Sequence, residues 1–194
     1  MRFKYREIVS EFVSVLRLIV GKPTQLRKRR IIKSLGLKHN IQIIVETGTY
    51  LGQSTKFFAK EFHKVYSIEL DLQLYKYSKN KLKKRKNITL LCGNSKEMLP
   101  RILSDLKAPS VFFLDGHASG GVTSSGEEPS PIKHELQLLE NFYFIKDSII
   151  ICDDARGFDG RNSYPHINEI ENLAARLNLA HPRILEDMII ITPK

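Results

Sequence analysis

The spacing of hydrophobic residues changes from a helical to a strand pattern near residue 40. Apolar positions from Tyr5 to Val20 recur every three or four residues, which predicts an amphipathic helix over Arg2–Val20 that ends at Gly21. Thr24 is placed to cap a second, strongly basic helix, which we expect to run to Ser34 and to end at Gly36. The chain therefore begins with two predicted helices.

Beyond residue 40, short apolar runs alternate with stretches of helical periodicity. We predict strands at Ile41–Val45, Val65–Ile68, Ile88–Cys92, Val111–Leu114 and Ser148–Cys152, and helices over roughly 53–62, 71–84, 95–107 and 132–145. Strands that are apolar on both faces and are separated by helices form parallel sheets covered on both sides.

The C-terminal segment predicts a different connection. After a helix at about 166–178, two strands, Arg183–Leu185 and Met188–Thr192, are separated only by Glu186 and Asp187, which requires an antiparallel hairpin. The expected fold is therefore α/β, a Rossmann-like sheet of seven mostly parallel strands with an antiparallel hairpin at its end. We divide the chain into a basic N-terminal helical extension, 1–40, and a domain, 41–194.

The net charge of +10 is unevenly distributed along the sequence. Residues 1–40 contain 11 Lys and Arg against 2 Asp and Glu, so the rest of the chain is almost neutral. A uniformly basic nucleic-acid binder is therefore not indicated. The two cysteines, Cys92 and Cys152, end apolar runs, which favours reduced thiols and a cytoplasmic protein. The longest nearly apolar run, Phe12–Val20, is too short to span a membrane.

Carboxylates follow four of the five predicted parallel strands, where ligands bind in open α/β sheets. The first loop contains glycines for a tight turn but opens with Glu46 and lacks the G-x-G-x-x-G spacing of dinucleotide binders. Glu46 would repel a pyrophosphate and favour a cationic ligand such as S-adenosylmethionine. Glu69 ends the second strand, where its carboxylate can accept hydrogen bonds from both hydroxyls of a ribose.

The run Glu46-x-Gly48-x-Tyr50-x-Gly52-x-Ser54 resembles the first motif of catechol O-methyltransferase and its metal-dependent relatives, which are class I S-adenosylmethionine-dependent methyltransferases. The resemblance implies a cofactor site that includes this whole loop, with Thr47 among its residues. Gly48 and Tyr50 would line the methionine part, and Ser54 would meet its carboxylate. Glu69 would bind the ribose, and Asn94 and Ser95 would lie near the adenine, although Asn94 is equally well placed to cap the following helix.

The same resemblance implies a divalent cation at the ends of the fourth and fifth strands. Asp115, Asp153 and Asp154 occupy the positions of the family's metal ligands, and Mg²⁺ prefers such oxygen ligands. Asp115 would thus serve the metal, the cofactor site and catalysis together.

One departure from the catechol enzyme concerns its catalytic lysine, whose position is Ala118 here. The run Asp115-Gly116-His117-x-Ser119-Gly120-Gly121 is more similar to metal-dependent sugar O-methyltransferases of macrolide pathways. His117 is then the candidate catalytic base. The glycine- and serine-rich loop 116–131 that contains it is long enough to act as a lid over the acceptor.

The function expected from these observations is transfer of a methyl group from S-adenosylmethionine to a hydroxyl of a small molecule, with Mg²⁺ or another divalent cation. The alternatives are an RNA methyltransferase, which the acidic surroundings of the site disfavour, and a non-catalytic cofactor-binding module at a membrane. We expect the N-terminal helices to cover the domain or to form a homodimer in preference to binding a membrane surface.

Overall fold

The computed structural model describes residues 3–6, 8–9, 12–13, 24–115, 130–161 and 163–194. Residues 3–6, 8–9 and 12–13 are helical, as predicted, and their apolar side chains Tyr5, Ile8 and Phe12 are exposed. The helices that follow are α1 (Gln25–Lys38), α2 (Gln53–Glu61), α3 (Leu72–Leu82), α4 (Ser95–Asp105), α5 (Ile132–Glu140) and α6 (Ile167–Arg176). Short 3₁₀ turns lie at Ile145–Asp147 and Ala155–Gly157.

Seven strands form one sheet in the order β3-β2-β1-β4-β5-β7-β6. They are β1 (Ile43–Thr47), β2 (Lys64–Glu69), β3 (Ile88–Cys92), β4 (Val111–Leu114), β5 (Ile149–Asp153), β6 (Arg183–Leu185) and β7 (Met188–Ile191). The first five are parallel, whereas β7 is antiparallel to both β5 and β6. The predicted fold class is confirmed.

The strand order reverses between β1 and β4, and ligands bind outside the carboxyl ends of the strands at such a switch point. The bounds of β1 differ from the prediction, because the strand begins at Ile43 and continues to Thr47. Glu46 pairs with Phe113 and Thr47 with Leu114. Glu46 is therefore a strand residue and not the first residue of the loop.

Helix α1 packs against the sheet and does not end where the sequence predicted. Thr24 caps it as expected, and its side chain accepts a hydrogen bond from the Arg27 amide. The helix continues through Gly36 to Lys38. Gly36 does not end the helix; it allows close packing, since a Cβ there would lie 2.7 Å from the Phe62 ring. Ile32 belongs to the hydrophobic cluster on this face of the sheet, and α1 thus shares its core. The division of the chain at residue 40 stays a prediction.

Candidate functional site

The loops after β1 and β4 meet at Gly48 and Asp115. The Asp115 amide donates to the backbone and side-chain oxygens of Thr47, at 3.3 and 3.2 Å. Gly48 has φ +90°, and a Cβ at this position would lie 3.4 Å from the Asp115 Cβ. The positive φ and the close approach explain the glycine.

Glu46 lies below this loop, in the sheet. Its Oε2 accepts hydrogen bonds from Thr55 Oγ1 at 2.6 Å and from Ser67 Oγ at 2.7 Å. Burial raises the pKa of Glu46 to about 7, although these two hydroxyls oppose the increase. Glu46 therefore joins β1, β2 and α2 beneath the switch point, and its contact with a cofactor stays a prediction.

Glu69, at the end of β2, holds the loop that contains Tyr50. Its carboxylate accepts from the Tyr50 amide at 2.7 Å and from the Asp71 amide at 2.9 Å. Tyr50 has φ +49°, a conformation that few non-glycine residues adopt, and the hydrogen bond to Glu69 helps to stabilise it. Burial raises the pKa of Glu69. The Leu70 amide also contributes a hydrogen bond to this carboxylate. A carboxylate has about four acceptor positions, so these three amides leave capacity for a hydroxyl donor.

The start of α2 carries an arginine that the sequence analysis missed. Gly52 precedes the helix with φ +68°, and a Cβ there would lie 3.0 Å from Leu82 Cδ1. Ser54 Oγ, in the first turn, accepts from Arg29 Nε at 2.9 Å. A guanidinium beside a helix N-terminus is an arrangement suited to an anionic group. No local sequence pattern relates Arg29 to Ser54, because the contact joins two separate helices.

Asn94 caps α4 by accepting a hydrogen bond from the Lys96 amide at 3.0 Å, so the capping interpretation is confirmed. Its contact with an adenine stays a prediction, as does that of Ser95. The Ser95 side chain is buried and hydrogen-bonds to Glu135.

Glu135, in α5, is a second residue that the sequence analysis missed. It is fully buried, and its Oε2 accepts a 3.5 Å hydrogen bond from Thr47 Oγ1. Burial raises its pKa to about 7, Ser95 and Thr47 oppose the increase, and the charge of Asp115 adds to it. The signal in the sequence was a carboxylate on the apolar face of a helix, three residues after Ile132.

The carboxylates at the end of β5 have basic partners. Lys28 Nζ, in α1, donates to Asp153 Oδ1, and both side chains are buried. The same oxygen accepts from the Asp154 amide at 2.9 Å. Asp154 has φ +56°, and its Oδ1 lies 2.8 Å from Arg156 Nη2.

These ion pairs bear directly on the predicted metal centre. Within residues 24–115, 130–161 and 163–194, no three acidic, histidine or cysteine side chains are arranged to hold a metal ion. One of the two carboxylate oxygens of Asp153, Oδ1, is bonded to the ammonium group of Lys28. In this conformation Asp115, Asp153 and Asp154 do not fit a divalent cation.

Tyr164 lies beside the same carboxylates and was not predicted. Partial burial and the charges of Asp154, Asp115 and Asp153 raise the pKa of its hydroxyl, whereas a hydrogen bond with Ser130 lowers it. The ring packs edge-on against Phe158. His117, and the part of the predicted lid from 116 to 129, lie outside the described residues.

The fold at this site is that of class I S-adenosylmethionine-dependent methyltransferases. A family model described as ribosomal RNA adenine dimethylase matches residues 25–97, which is less than half of the chain. The match includes β1, β2 and β3 and stops before β4. Comparison with curated protein sequences gave no match.

Solved methyltransferase structures resemble nearly the whole chain. A putative caffeoyl-CoA O-methyltransferase from Staphylococcus aureus has 16% identity and a TM-score of 0.59, over 98% of this chain and 97% of that one. An O-methyltransferase from Bacillus cereus, solved with SAH, has 16% identity and a TM-score of 0.59, over 95% and 90%. The 23S rRNA methyltransferase ErmE has 12% identity and a TM-score of 0.53, over 86% and 68%.

Together these comparisons support assignment of the chain as a methyltransferase enzyme. They leave its methyl acceptor open, because the neighbours named include both O-methyltransferases and an rRNA methyltransferase. None of the described helices is sufficiently long and hydrophobic to traverse a lipid bilayer.

Proposed function

We propose that this chain transfers the methyl group of S-adenosylmethionine to a hydroxyl of a small molecule. The observation that carries the proposal is the pair of features at the ends of β1 and β2: a glycine loop without a phosphate-binding pattern, and a buried carboxylate, Glu69, beside it. A nucleoside without phosphates suits this composition.

Each part of the cofactor has a residue suited to it. Glu69 would accept hydrogen bonds from the ribose hydroxyls with the acceptor capacity that its backbone amide partners leave. Ser54, Arg29 and the N-terminus of α2 would hold the methionine carboxylate. Asn94 and Ser95 would border the adenine. Bound there, the cofactor would supply an electrophilic methyl group on a sulfonium.

The acceptor would bind next to Asp115, at the ends of β4 and β5. Tyr164 is half-buried and senses the charges of these carboxylates, and its ring would help to exclude water from the reacting hydroxyl. We assign removal of the hydroxyl proton to His117, which follows Asp115 by two positions in the sequence. Mg²⁺ has no part in this proposal, because Asp153 is already paired with Lys28.

RNA methylation is the second candidate, and the match to the rRNA adenine dimethylase model favours it. That match, however, covers the cofactor half of the sheet and stops before the strands that would face an acceptor. The three carboxylates Asp115, Asp153 and Asp154 outnumber their two basic partners, Lys28 and Arg156, and this excess of negative charge would repel the phosphates of RNA. A small-molecule acceptor therefore suits the charge of the site better than RNA does.

Two measurements test the proposal. Calorimetry with SAH should show binding to the wild-type chain, and absence of binding would contradict it. Transfer of a labelled methyl group should then be followed over a panel of sugars, phenols and ribosomal RNA. Label in a sugar or phenol, lost in Glu69→Ala, is the expected result, and label in RNA alone would establish the second candidate.

A further inference from the structure

We propose that Lys28 takes the place of a divalent metal in the acceptor site, so that this methyltransferase site uses an ammonium group as its cation. The inference rests on the proposed function, since it concerns the acceptor side of the same site. It contradicts the metal dependence that the sequence resemblance implies.

Lys28 is a buried lysine that is paired with a buried carboxylate. Its side chain is 7% exposed and that of Asp153 is 2% exposed, which is unusual for a lysine. A buried charge is costly unless it is paired, and replacing such a pair by apolar residues is often neutral or stabilising. Packing alone therefore does not explain a lysine at this position, whereas a need for positive charge beside the carboxylates does.

The surroundings of Lys28 carry an excess of negative charge from carboxylates. Asp115 directly follows β4, and Asp153 and Asp154 lie at the end of the neighbouring strand β5, so three carboxylates share one stretch of the carboxyl edge of the sheet. Arg156 offsets Asp154 from the surface, because its side chain is 67% exposed. Lys28 is the cation that reaches Asp153 from the interior.

The ammonium group of Lys28 has more hydrogen-bond donors than its contact with Asp153 uses. An ammonium group has three N–H donors. In the described part of the chain, Asp153 is the one acceptor within hydrogen-bond distance of Lys28 Nζ. The other two donors have no acceptor among the described residues, and we assign them to an oxygen of the methyl acceptor, because charge-assisted hydrogen bonds stabilise negative charge that develops on oxygen.

The position of Lys28 is fixed by contacts of its two neighbours in α1, Arg27 and Arg29. Arg27 pairs with Glu186, in the turn between β6 and β7, at 3.3 Å, and Arg29 binds Ser54 at the start of α2. Three consecutive basic residues therefore contact three separate elements along the carboxyl edge of the sheet. The contacts of Arg27 and Arg29 fix the first turn of α1, and with it the direction of Lys28.

Lysine and metal exclude each other at this position. Mg²⁺ requires about six oxygen ligands in near-octahedral geometry, and the positive ammonium group, bonded to Asp153 Oδ1, lies against the carboxylate that would have to supply one of them. Removing the ammonium should leave three carboxylates without their interior cation. Rotation of these side chains toward one another should then give the site an affinity for a divalent ion that their arrangement in the wild type does not provide.

The test uses Mn²⁺ as the probe, because its free form gives a paramagnetic resonance signal that falls on binding. In the presence of SAH, the wild-type chain should leave this signal unchanged. Lys28→Ala should bind one Mn²⁺ per chain, and Lys28→Ala combined with Asp153→Asn should lose that binding. Lys33→Ala, which removes a partly exposed lysine of the same helix that pairs with Glu61, should behave as wild type.

Stoichiometric Mn²⁺ binding by the wild-type chain, lost in Asp153→Asn, would overturn the proposal without any Lys28 variant. A folded Lys28→Ala protein that binds SAH but no Mn²⁺ would also overturn it. Because SAH binding is measured separately, failure of the proposed function shows as absence of SAH binding by the wild type. If Lys28→Ala does not fold, the wild-type Mn²⁺ measurement still decides the question.

Discussion

The buried carboxylate of Glu46 should make the stability of the protein fall as the pH rises. Burial raises its pKa from 4.5 to about 7 in the folded chain, whereas the unfolded chain has the ordinary value. Between these two pH values the folded state binds more protons than the unfolded state. Unfolding then releases a proton, so the free energy of unfolding falls from about pH 4.5 to about pH 7. Glu135 contributes in the same direction and over the same range.

The size of the effect follows from the pKa difference. The pKa of Glu46 is about 2.5 higher in the folded than in the unfolded chain, which corresponds to about 3 kcal/mol of stability, since one pKa unit is worth 1.36 kcal/mol. Titration of the unfolded chain has already begun at pH 5, so about 2–3 kcal/mol should be lost between pH 5 and pH 8. Glu46→Gln keeps the shape of the side chain and is neutral at every pH, and the variant should therefore lack this loss.

Urea unfolding at pH 5 and pH 8 measures the difference. The stability of Glu46→Gln relative to wild type should increase by about 2–3 kcal/mol between the two pH values. Glu61→Gln is the matched control, because Glu61 lies in α2 and pairs with Lys33 near the surface. The same pH dependence in Glu46→Gln and wild type would refute the reasoning.

Three further predictions concern the cofactor site, helix packing and the N-terminus. Glu69→Ala should weaken SAH binding in calorimetry by about 1.5–3 kcal/mol, or roughly 10- to 150-fold, whereas Glu140→Ala should leave it unchanged. Gly36→Ala should lower the free energy of urea unfolding by about 1–3 kcal/mol, because the added Cβ would meet the Phe62 ring at 2.7 Å, and unchanged stability would argue against a tight contact. Deletion of residues 1–36 should give an insoluble or inactive protein, and the intact chain should not sediment with anionic vesicles at physiological salt. Sedimentation that the deletion abolishes, with a soluble and active remainder, would instead indicate a membrane tether.

The sequence predicted most of the sheet because each strand has a local signal. Five apolar runs separated by helical periods fix parallel order, and the two-residue connection at Glu186 and Asp187 fixes the hairpin. Bounds were less accurate: the apolar run at Ile41–Val45 suggested a strand two residues too early, because Glu46 and Thr47 are polar yet lie in β1. Hydrogen bonds from buried hydroxyls make this possible, and apolarity alone gives no sign of them.

Contacts between distant parts of the chain were beyond sequence reasoning. Lys28 and Asp153 are 125 positions apart, and the basic run around Lys28 is typical of a solvated helix. The metal centre was therefore predicted from its carboxylates alone. Gly36 was assigned as a helix stop, since only the position of Phe62 in the folded chain shows that it serves packing.

The separation of Lys28 from Asp153 also affects the order in which the site can form during synthesis. At about 5–20 residues per second, the ribosome adds Asp153 about 6–25 s after Lys28. Throughout that interval α1 has no partner at β5, whereas β1, α2 and the next strands are synthesised within it. A nascent chain can thus form the cofactor side of the site first. The acceptor side is complete only after β5 has been synthesised and Asp153 can pair with Lys28 of α1.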